Sequence, residues 1–218
     1  MEAVKHVKDG FTIGLGSGST VAYAIQEIGK RVQQEELRIL GVPTSHQTMM
    51  LAVHWGIPTT TLNEHPQLDL AIDGTDQFDR QLNLIKGLGG ALTREKIVAS
   101  ATSQFVVVAD QTKLAEKLGT DCVVPVEVLP FAFPTATSKM QAIGGKTILR
   151  KAKSKVGPVV TDNGNFIVDV SFGEISSPKR LDSKLQAIPG VIETGLFIEM
   201  ADIVYVGTQT TVERLERE

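Results

Sequence analysis

Residues 11–28 read FTIGLGSGSTVAYAIQEI. The stretch opens with a short apolar run, Phe11 to Leu15, and continues through a Gly/Ser turn at residues 16–20. It ends with apolar residues at helical spacing from Val21 to Ile28. A strand, a Gly/Ser turn and a helix in this order are typical of the opening of a βαβ unit. The sequence therefore predicts an α/β fold from its first residues.

The alternation of strands and helices continues to about residue 125. Further strands are predicted at 37–42, 59–62, 68–72 and 104–109, and helices at 47–55 with Ser45 as cap, at 94–99 with Thr93 as cap, and from Asp110 onwards. The run at 104–109 is continuously apolar, as in strands buried on both faces of a parallel sheet. Short connections between alternating elements predict a Rossmann-like open, mostly parallel sheet.

The second half of the chain has a different order. Strands are predicted at 126–129, 158–161, 165–170 and 191–199, and helices at 137–143 and 180–188, with Asp162-Asn163-Gly164 as a hairpin turn. The order βαββαβ resembles the ferredoxin-like arrangement. We therefore expect a smaller α+β domain at 126–201, and a Rossmann-like domain of 1–125 plus 202–218. A strand at 203–207 should return to the first sheet, followed by a charged helix from Thr211.

Composition excludes several classes of partner. The 218 residues are 42% hydrophobic and 22% charged, with a net charge of −3 from mixed acids and bases. We expect neither nucleic acid nor a membrane as a partner. The single cysteine, Cys122, is expected to be a buried small residue. With no segment able to span a bilayer and no signal peptide, the expected location is the cytoplasm.

Polar groups recur where predicted strands end. They are Ser17 to Thr20, Asp73 to Asp76, Lys86 to Glu95, and Lys113. Ligands of open α/β sheets bind beyond the carboxyl ends of the strands. The first group would present N–H groups and hydroxyls to a phosphate at a helix N-terminus, although a capped Gly/Ser turn is common in any protein. Its spacing matches neither a Walker loop nor a dinucleotide fingerprint.

The other groups also allow more than one interpretation. Asp73 and Asp76 bracket a Gly-Thr turn, which fits an Asx turn or the recognition of sugar hydroxyls with proton transfer. The four histidines show no metal-ligand spacing, so metal binding is not the main interpretation. Residues 86–96 combine a lysine, three glycines and Glu95, and could hold an anionic sugar or form an ordinary loop before a surface helix. Lys86 and Lys113 could neutralise phosphate or an oxyanion.

At these residues the sequence resembles the type A ribose-5-phosphate isomerases. The resemblance spans nearly the whole chain and is most specific at Lys86 to Lys96. It also includes the segments Gly16–Thr20, Asp73–Asp76, Ala109–Lys113, Pro125–Val128, Thr161–Asn165 and Pro189–Phe197.

The resemblance implies an aldose–ketose isomerase of the pentose phosphate pathway, which converts D-ribose 5-phosphate and D-ribulose 5-phosphate through an enediolate. It makes Glu95 the general base, gives Asp73 and Asp76 ring opening and hydroxyl binding, and gives Lys86 charge stabilisation. The implied substrate-binding residues are Ser17, Gly18, Ser19, Thr20, Asp73, Gly74, Thr75, Asp76, Lys86, Gly87, Leu88, Gly89 and Lys113. It implies no cofactor, no metal, a small sugar phosphate as the ligand, and a homodimer or homotetramer. Leu88 and Gln77 depart from the family, which usually has glycine and often glutamate there.

Two other classes of function fit the broad fold. A sugar-phosphate sensor would bind without turnover, but it would normally carry a helix-turn-helix, for which the residues before 11 leave no room. Other enzymes of this fold include 6-phosphogluconolactonases, amino-sugar deaminases and acyl-CoA transferases. The segment Lys86–Lys96 and the acidic turn argue against those enzymes.

Overall fold

A computed structural model describes residues 2–154 and 156–217 of the chain. The strands are β1 (Thr12–Leu15), β2 (Leu40–Pro43), β3 (Leu70–Gly74), β4 (Gln77–Phe78), β5 (Leu84–Ile85), β6 (Phe105–Asp110), β7 (Val124–Val128), β8 (Lys146–Leu149), β9 (Phe166–Ser171), β10 (Val191–Thr194), β11 (Leu196–Phe197), β12 (Ile203–Gly207) and β13 (Val212–Glu216). The helices are α1 (Ser19–Gln34), α2 (His46–His54), α3 (Leu92–Ser100), α4 (Phe133–Ala142) and α5 (Pro178–Gln186), with 3₁₀ turns at Glu2–His6, Gln111–Lys113 and Pro130–Ala132.

The chain divides into two compact units. Unit 1 contains Met1–Thr75, Arg94–Lys113 and Glu199–Glu218, and unit 2 contains Asp76–Thr93 and Leu114–Ile198. The segments 76–93 and 114–125 thus fall in unit 2. The domain boundaries expected from the sequence placed them in the first domain, and those boundaries stay a prediction.

Unit 1 is built on a six-stranded sheet with the order β13-β12-β6-β3-β1-β2. All neighbouring strands are parallel except β13, which runs antiparallel to β12. Apolar side chains of the central strands pack against the buried face of α1. The strands contribute Ile13, Leu15, Ile72 and Val106, and α1 contributes Val21, Ile25 and Ile28. The mostly parallel sheet predicted from the sequence is confirmed, as is the return of 203–207 beside β6.

Gly14 allows helix α3 to lie directly on this sheet. A Cβ atom at Gly14 would be 2.3 Å from Cγ1 of Val98 and 2.9 Å from Cβ of Ala71. The far end of the helix is fixed by the N–H of Leu68, which donates to the carbonyl of Ala101 at 2.8 Å. Because Leu68 precedes β3, α3 runs against the strand direction. Its first turn therefore lies at the carboxyl ends of β1 and β3.

Unit 2 has the order β7-α4-β8-β9-α5-β10 and an antiparallel sheet of order β10-β7-β9-β8. This is the βαββαβ arrangement that the sequence predicted. One face of the sheet joins α4 and α5 in an apolar core that includes Val124, Val126, Val168, Val170, Met140 and Leu185. A separate three-stranded sheet, β11-β5-β4, belongs to the same unit.

Several local predictions were wrong. Residues 59–62 and 158–161 form only isolated bridges, through Thr59, Pro158 and Val160. Strand β8, which the sequence analysis missed, takes the place beside β9 that 158–161 was expected to fill. The segment after Thr211 is strand β13 and not a helix, because it pairs along β12 and tertiary pairing overrides its charged composition. By contrast, Ser45 caps α2 as predicted and accepts from the Thr48 N–H at 3.1 Å.

No helix among the described residues is long and apolar enough to cross a membrane.

The hydrogen bonds of Gln77 require an amide at this position, where the family that the sequence resembles often has glutamate. Its buried side chain donates through Nε2 to the carbonyl of Thr120 at 2.5 Å and accepts the N–H of Gly119 at 2.7 Å. An amide can do both, whereas an ionised carboxylate can only accept.

Gln77→Glu is therefore expected to lower the free energy of unfolding by about 1–3 kcal/mol at neutral pH, since two oxygens would face each other. The loss should shrink in mildly acidic solution, because a protonated carboxyl can donate to the Thr120 carbonyl. Urea unfolding of the variant and of Gln67→Glu, at an exposed position, provides the measurement and its control. Equal stability of the two variants at neutral pH would contradict this role of Gln77.

Candidate active site

The Gly/Ser turn after β1 is held by a cluster of hydroxyl groups. The Ser17 hydroxyl lies 2.8 Å from that of Thr44, 2.7 Å from that of Ser45 and 3.0 Å from that of Thr48. The Thr48 hydroxyl also donates to the carbonyl of Gly16 at 2.8 Å. Ser17 thus anchors the turn with its side chain.

The next three residues of the turn face solvent. Gly18 is the N-cap of α1, with φ 110° and ψ 171°, and Ser19 and Thr20 are exposed in the first turn of this 16-residue helix. An uncovered helix N-terminus presents N–H groups and a favourable dipole to an anion. Of the predicted phosphate-binding residues, Gly18 to Thr20 can contact an anion directly, and Ser17 supports them.

Asp73 lies against this turn at the end of β3. It is 2% exposed, and its Oδ1 accepts the N–H groups of Gly74 at 2.7 Å and Ser17 at 3.2 Å. A Cβ atom at Gly16 would be 2.2 Å from that same oxygen and 2.6 Å from the Cα of Asp73. Glycine at 16 is therefore required for the carboxylate to approach the turn.

Glu95 occupies the first turn of α3 and is 5% exposed. It precedes Val98, which contacts the sheet at Gly14, by one turn, so the two side chains share a helix face. Because this first turn lies at the carboxyl ends of β1 and β3, Glu95 is at the same edge of unit 1 as Asp73 and the N-terminus of α1. Three of the sequence-predicted groups therefore meet at one edge of the sheet.

The prediction that Thr93 caps a helix starting at Arg94 was wrong. Helix α3 begins earlier, at Leu92, and Thr93 lies within its first turn. The Thr93 hydroxyl donates instead to Oε2 of the fully buried Glu127 at 2.6 Å. A tertiary hydrogen bond has replaced the local one, and a local sequence pattern does not reveal such a partner.

Lys113 ends the 3₁₀ turn that follows β6. The Thr112 hydroxyl and N–H both donate to the Asp110 carboxylate, and the nearby charge of Lys113 adds to them, so the pKa of Asp110 lies below its ordinary value. In the β3–β6 register Gly74 is opposite Val108, which places Asp110 just beyond this pair. Lys113 is therefore also near the carboxyl edge of unit 1.

Thr75 is the last residue of the first segment of unit 1, and the remaining predicted residues belong to unit 2. Lys86 is 2% exposed, its N–H donates to the carbonyl of Gly195 at 2.8 Å, and its ammonium lies 5.4 Å from the ring centre of Phe197. The Asp76 carboxylate accepts the N–H of Leu88 at 2.8 Å. Asp76 therefore fixes the loop that follows Lys86.

Sequence reasoning missed two parts of this arrangement. The first is the hydroxyl cluster of Thr44, Ser45 and Thr48; its signal was the position of Thr44 and Ser45 directly after β2, at the same edge of the sheet. The second is Arg150, whose guanidinium donates to the carbonyls of Gly87 at 2.8 Å and Leu88 at 3.0 Å. Arg150 is 62 residues from Leu88 in sequence, and no motif links them.

Within residues 2–154 and 156–217, no group of three or more His, Cys, Asp or Glu side chains is arranged to hold a metal ion.

The chain matches the model of a known protein family. The model of the family described as ribose 5-phosphate isomerase A (phosphoriboisomerase A) matches residues 40–211. A ribose-5-phosphate isomerase A of Methanosarcina acetivorans is 54% identical over 203 residues, which cover 93% of this chain and 86% of that protein. One of Thermococcus kodakarensis is 46% identical over 217 residues, covering 99% and 95%.

Solved structures agree with the sequence comparisons. The structure of ribose 5-phosphate isomerase A from Methanocaldococcus jannaschii is similar with a TM-score of 0.95 and 46% identity, covering 99% of this chain and 95% of that one. A structure of D-ribose-5-phosphate isomerase in complex with phospho-erythronic acid gives a TM-score of 0.97 at 45% identity, with the same coverage.

Gly16→Ala tests the contact between the turn and Asp73. The added methyl would overlap the carboxylate and Cα of Asp73, so we expect the free energy of unfolding to fall by about 1–3 kcal/mol. Urea denaturation measures the change. Gly207→Ala is the matched control in the same sheet, because the nearest atom to its Cβ would be 3.7 Å away, an ordinary contact. If both substitutions have the same effect, Gly16 is not required for steric reasons.

Proposed function

The chain belongs to the ribose 5-phosphate isomerase A family, and we propose that Glu95, Asp73 and the N-terminus of α1 perform its reaction. The reaction is the interconversion of D-ribose 5-phosphate and D-ribulose 5-phosphate, catalysed by an aldose–ketose isomerase. The observation that carries the proposal is the buried Glu95 carboxylate at the same sheet edge as Asp73 and the open end of α1.

The chemical demand is the movement of one proton between neighbouring carbons. In the open-chain aldose, Glu95 would take the proton from C2, and the electrons would form an enediolate with negative charge on the C1 oxygen. A second proton moves from the C2 hydroxyl to the C1 oxygen, and return of the first proton to C1 then gives the ketose. A single carboxylate suffices for the transfer between the carbons because it accepts and returns that proton, and hydrogen-bond donors or cations must stabilise the negative oxygen meanwhile.

Asp73 would open the sugar ring and bind a hydroxyl. Its Oδ1 is committed to the N–H groups of Gly74 and Ser17, which fixes the orientation of the carboxylate. A carboxylate with one oxygen anchored to the backbone is held in one rotamer, which is the property a positioned acid or base needs.

The phosphate would bind at the N-terminus of α1. The N–H groups of the first turn and the exposed hydroxyls of Ser19 and Thr20 match an anion, and the hydroxyl cluster behind Ser17 fixes the turn. Phospho-erythronic acid, bound by the neighbour at 45% identity, carries a phosphate and a carboxylate. The carboxylate has two oxygens on one carbon and resembles the charge of an enediolate.

The family resemblance assigns further residues to the substrate, and we propose them on that basis. They are Gly74, Thr75, Asp76, Lys86, Gly87, Leu88, Gly89 and Lys113. For Asp76 the structure adds a second task, since its carboxylate also holds the Leu88 N–H. Metal independence, a homodimer or homotetramer, and a cytoplasmic location stay predictions from the sequence.

Glu95→Gln is expected to keep the fold and lower kcat by ~10²–10⁴-fold, the usual contribution of a positioned base. A coupled assay for ribulose 5-phosphate measures the turnover. Proton NMR in D₂O follows the loss of the C2 hydrogen, which should stop together with turnover. Glu213→Gln, an exposed carboxylate on β13, is the control. Turnover of Glu95→Gln near the parental rate would show that another group moves the proton.

Treatment with a strong chelator is expected to leave kcat/KM unchanged, because the proposed stabilising groups are N–H donors and lysines. The assay compares the protein before treatment, after dialysis against the chelator, and after addition of Mg²⁺, Mn²⁺ or Zn²⁺. Loss of activity that one of these ions restores would contradict the prediction.

A further inference from the structure

The sheet of unit 2 has a polar face in addition to the face that forms its apolar core. Glu127 of β7 is opposite Ile167 of β9, and Asp169 is opposite Ile148 of β8. The N–H of Arg150 donates to the carbonyl of Ile167 at 2.9 Å, which continues this register by one more pair. Opposed residues share a face of the sheet, and so do alternate residues of one strand. Glu127, Ile167, Asp169 and Arg150 therefore lie on one face.

The segment Gly87–Thr93, which we call the glycine loop, covers this face. At its start, Nη1 of Arg150 donates to the carbonyls of Gly87 and Leu88. In its middle, a Cβ atom at Gly90 would be 3.3 Å from Cδ1 of Ile167. At its end, Thr93 donates to Glu127. The loop is thus held at three points by one sheet.

Arg150 is itself held by Asp169. Its Nε donates to Oδ2 of Asp169 at 2.8 Å, and its Nη2 donates to Oδ1, so the pair is bidentate. The two side chains are 14% and 19% exposed. A bidentate pair fixes the plane of the guanidinium, and the remaining nitrogen then points in one direction. That nitrogen is the one that contacts the two loop carbonyls.

The peptide between Gly87 and Leu88 is fixed from both sides. Its carbonyl accepts from Arg150, and its N–H donates to the Asp76 carboxylate. Gly87 and Gly90 have φ of 103° and 88°, a region that residues with side chains rarely adopt. Without the hydrogen bonds to Arg150 and Asp76, these flexible glycines would allow the loop many conformations.

We propose that Arg150 is a positioning residue for the isomerase reaction: it orders the glycine loop before the sugar phosphate binds. The inference rests on the proposed function, in which residues 86–89 bind the substrate. Ordering a loop in advance removes a conformational cost from substrate binding and so lowers KM. Arg150 acts through the loop carbonyls and does not itself contact the substrate.

A merely structural role for Arg150 would be to neutralise the Asp169 carboxylate. Arg150→Lys separates the two roles, because a lysine retains the charge but cannot bond a carboxylate and two carbonyls through one planar fork. We expect Arg150→Lys to raise KM by about tenfold or more, as expected when binding interactions are lost. A variant that is only less stable would lose active molecules, which lowers the apparent kcat at unchanged KM.

A second variant answers the question if Arg150→Lys folds poorly. Arg150→Met with Asp169→Leu removes both charges, so that no unpaired carboxylate stays behind. Its unfolding midpoint in urea should exceed that of Arg150→Met alone, while its KM stays raised. Arg214→Lys, in the exposed ion pair with Glu216 on β13, is the control and should change neither quantity.

Hydrogen exchange supplies a readout that does not depend on turnover. Amide exchange of the peptide covering residues 86–93 should be at least tenfold faster in Arg150→Lys than in the parent, because the loop loses its carbonyl contacts. Unchanged KM together with unchanged exchange in Arg150→Lys would overturn the proposal, as would a parental KM in the double variant.

Failure of the proposed function can be distinguished from failure of this inference. If Glu95→Gln retains turnover, the assignment of Glu95 as the base fails, while the exchange result still decides the role of Arg150.

Discussion

The contact between Asp73 and the backbone at Gly16 is the constraint on which the unit 1 site depends. A buried carboxylate needs hydrogen-bond donors, and here they include the N–H groups of Ser17 and Gly74. These donors are within reach only because residue 16 has no side chain. The same bonds join the turn after β1 to the end of β3. The same backbone hydrogen bonds therefore fix both the open N-terminus of α1 and the carboxylate of Asp73.

A second close contact, between β1 and α3, positions Glu95, the proposed base. Gly14 lies in β1, two residues before Gly16, and its missing side chain makes room for Val98 of α3. Since α3 lies directly on β1 and β3, Glu95 is at the edge where Asp73 lies. Gly16 directly follows β1, and its N–H donates to the carbonyl of Ile72 at 2.9 Å, which continues the pairing with β3. Alternate residues of an extended chain share a face, so Gly14 and Gly16 both leave room on the same side of the sheet. The end of β1 and the residue after it thus determine the position of both carboxylates.

Sequence reasoning succeeded where the signal is local or follows from the parallel sheet. The Gly/Ser turn and Asp73 could be placed because the parallel strands that lead to them end at a common edge. It failed where a distant partner decides the conformation. Segment 212–216 is charged but pairs along β12, Thr93 donates to Glu127 instead of capping a helix, and Arg150 reaches the glycine loop across the sheet of unit 2. Spacing in the sequence carries no information about such pairs.

The backbone conformation at position 88 explains why leucine can replace the glycine that is usual there. The left-handed backbone of the loop lies at Gly87 and Gly90, and Leu88 has an ordinary negative φ. The backbone of Leu88 donates its N–H to Asp76 and accepts from Arg150 at its carbonyl. Every residue except proline has both of these groups. Its side chain is 48% exposed and meets no steric barrier from the backbone. The peptide groups at 87–88 are therefore the constrained part of the loop, and the side chain at 88 is free to vary.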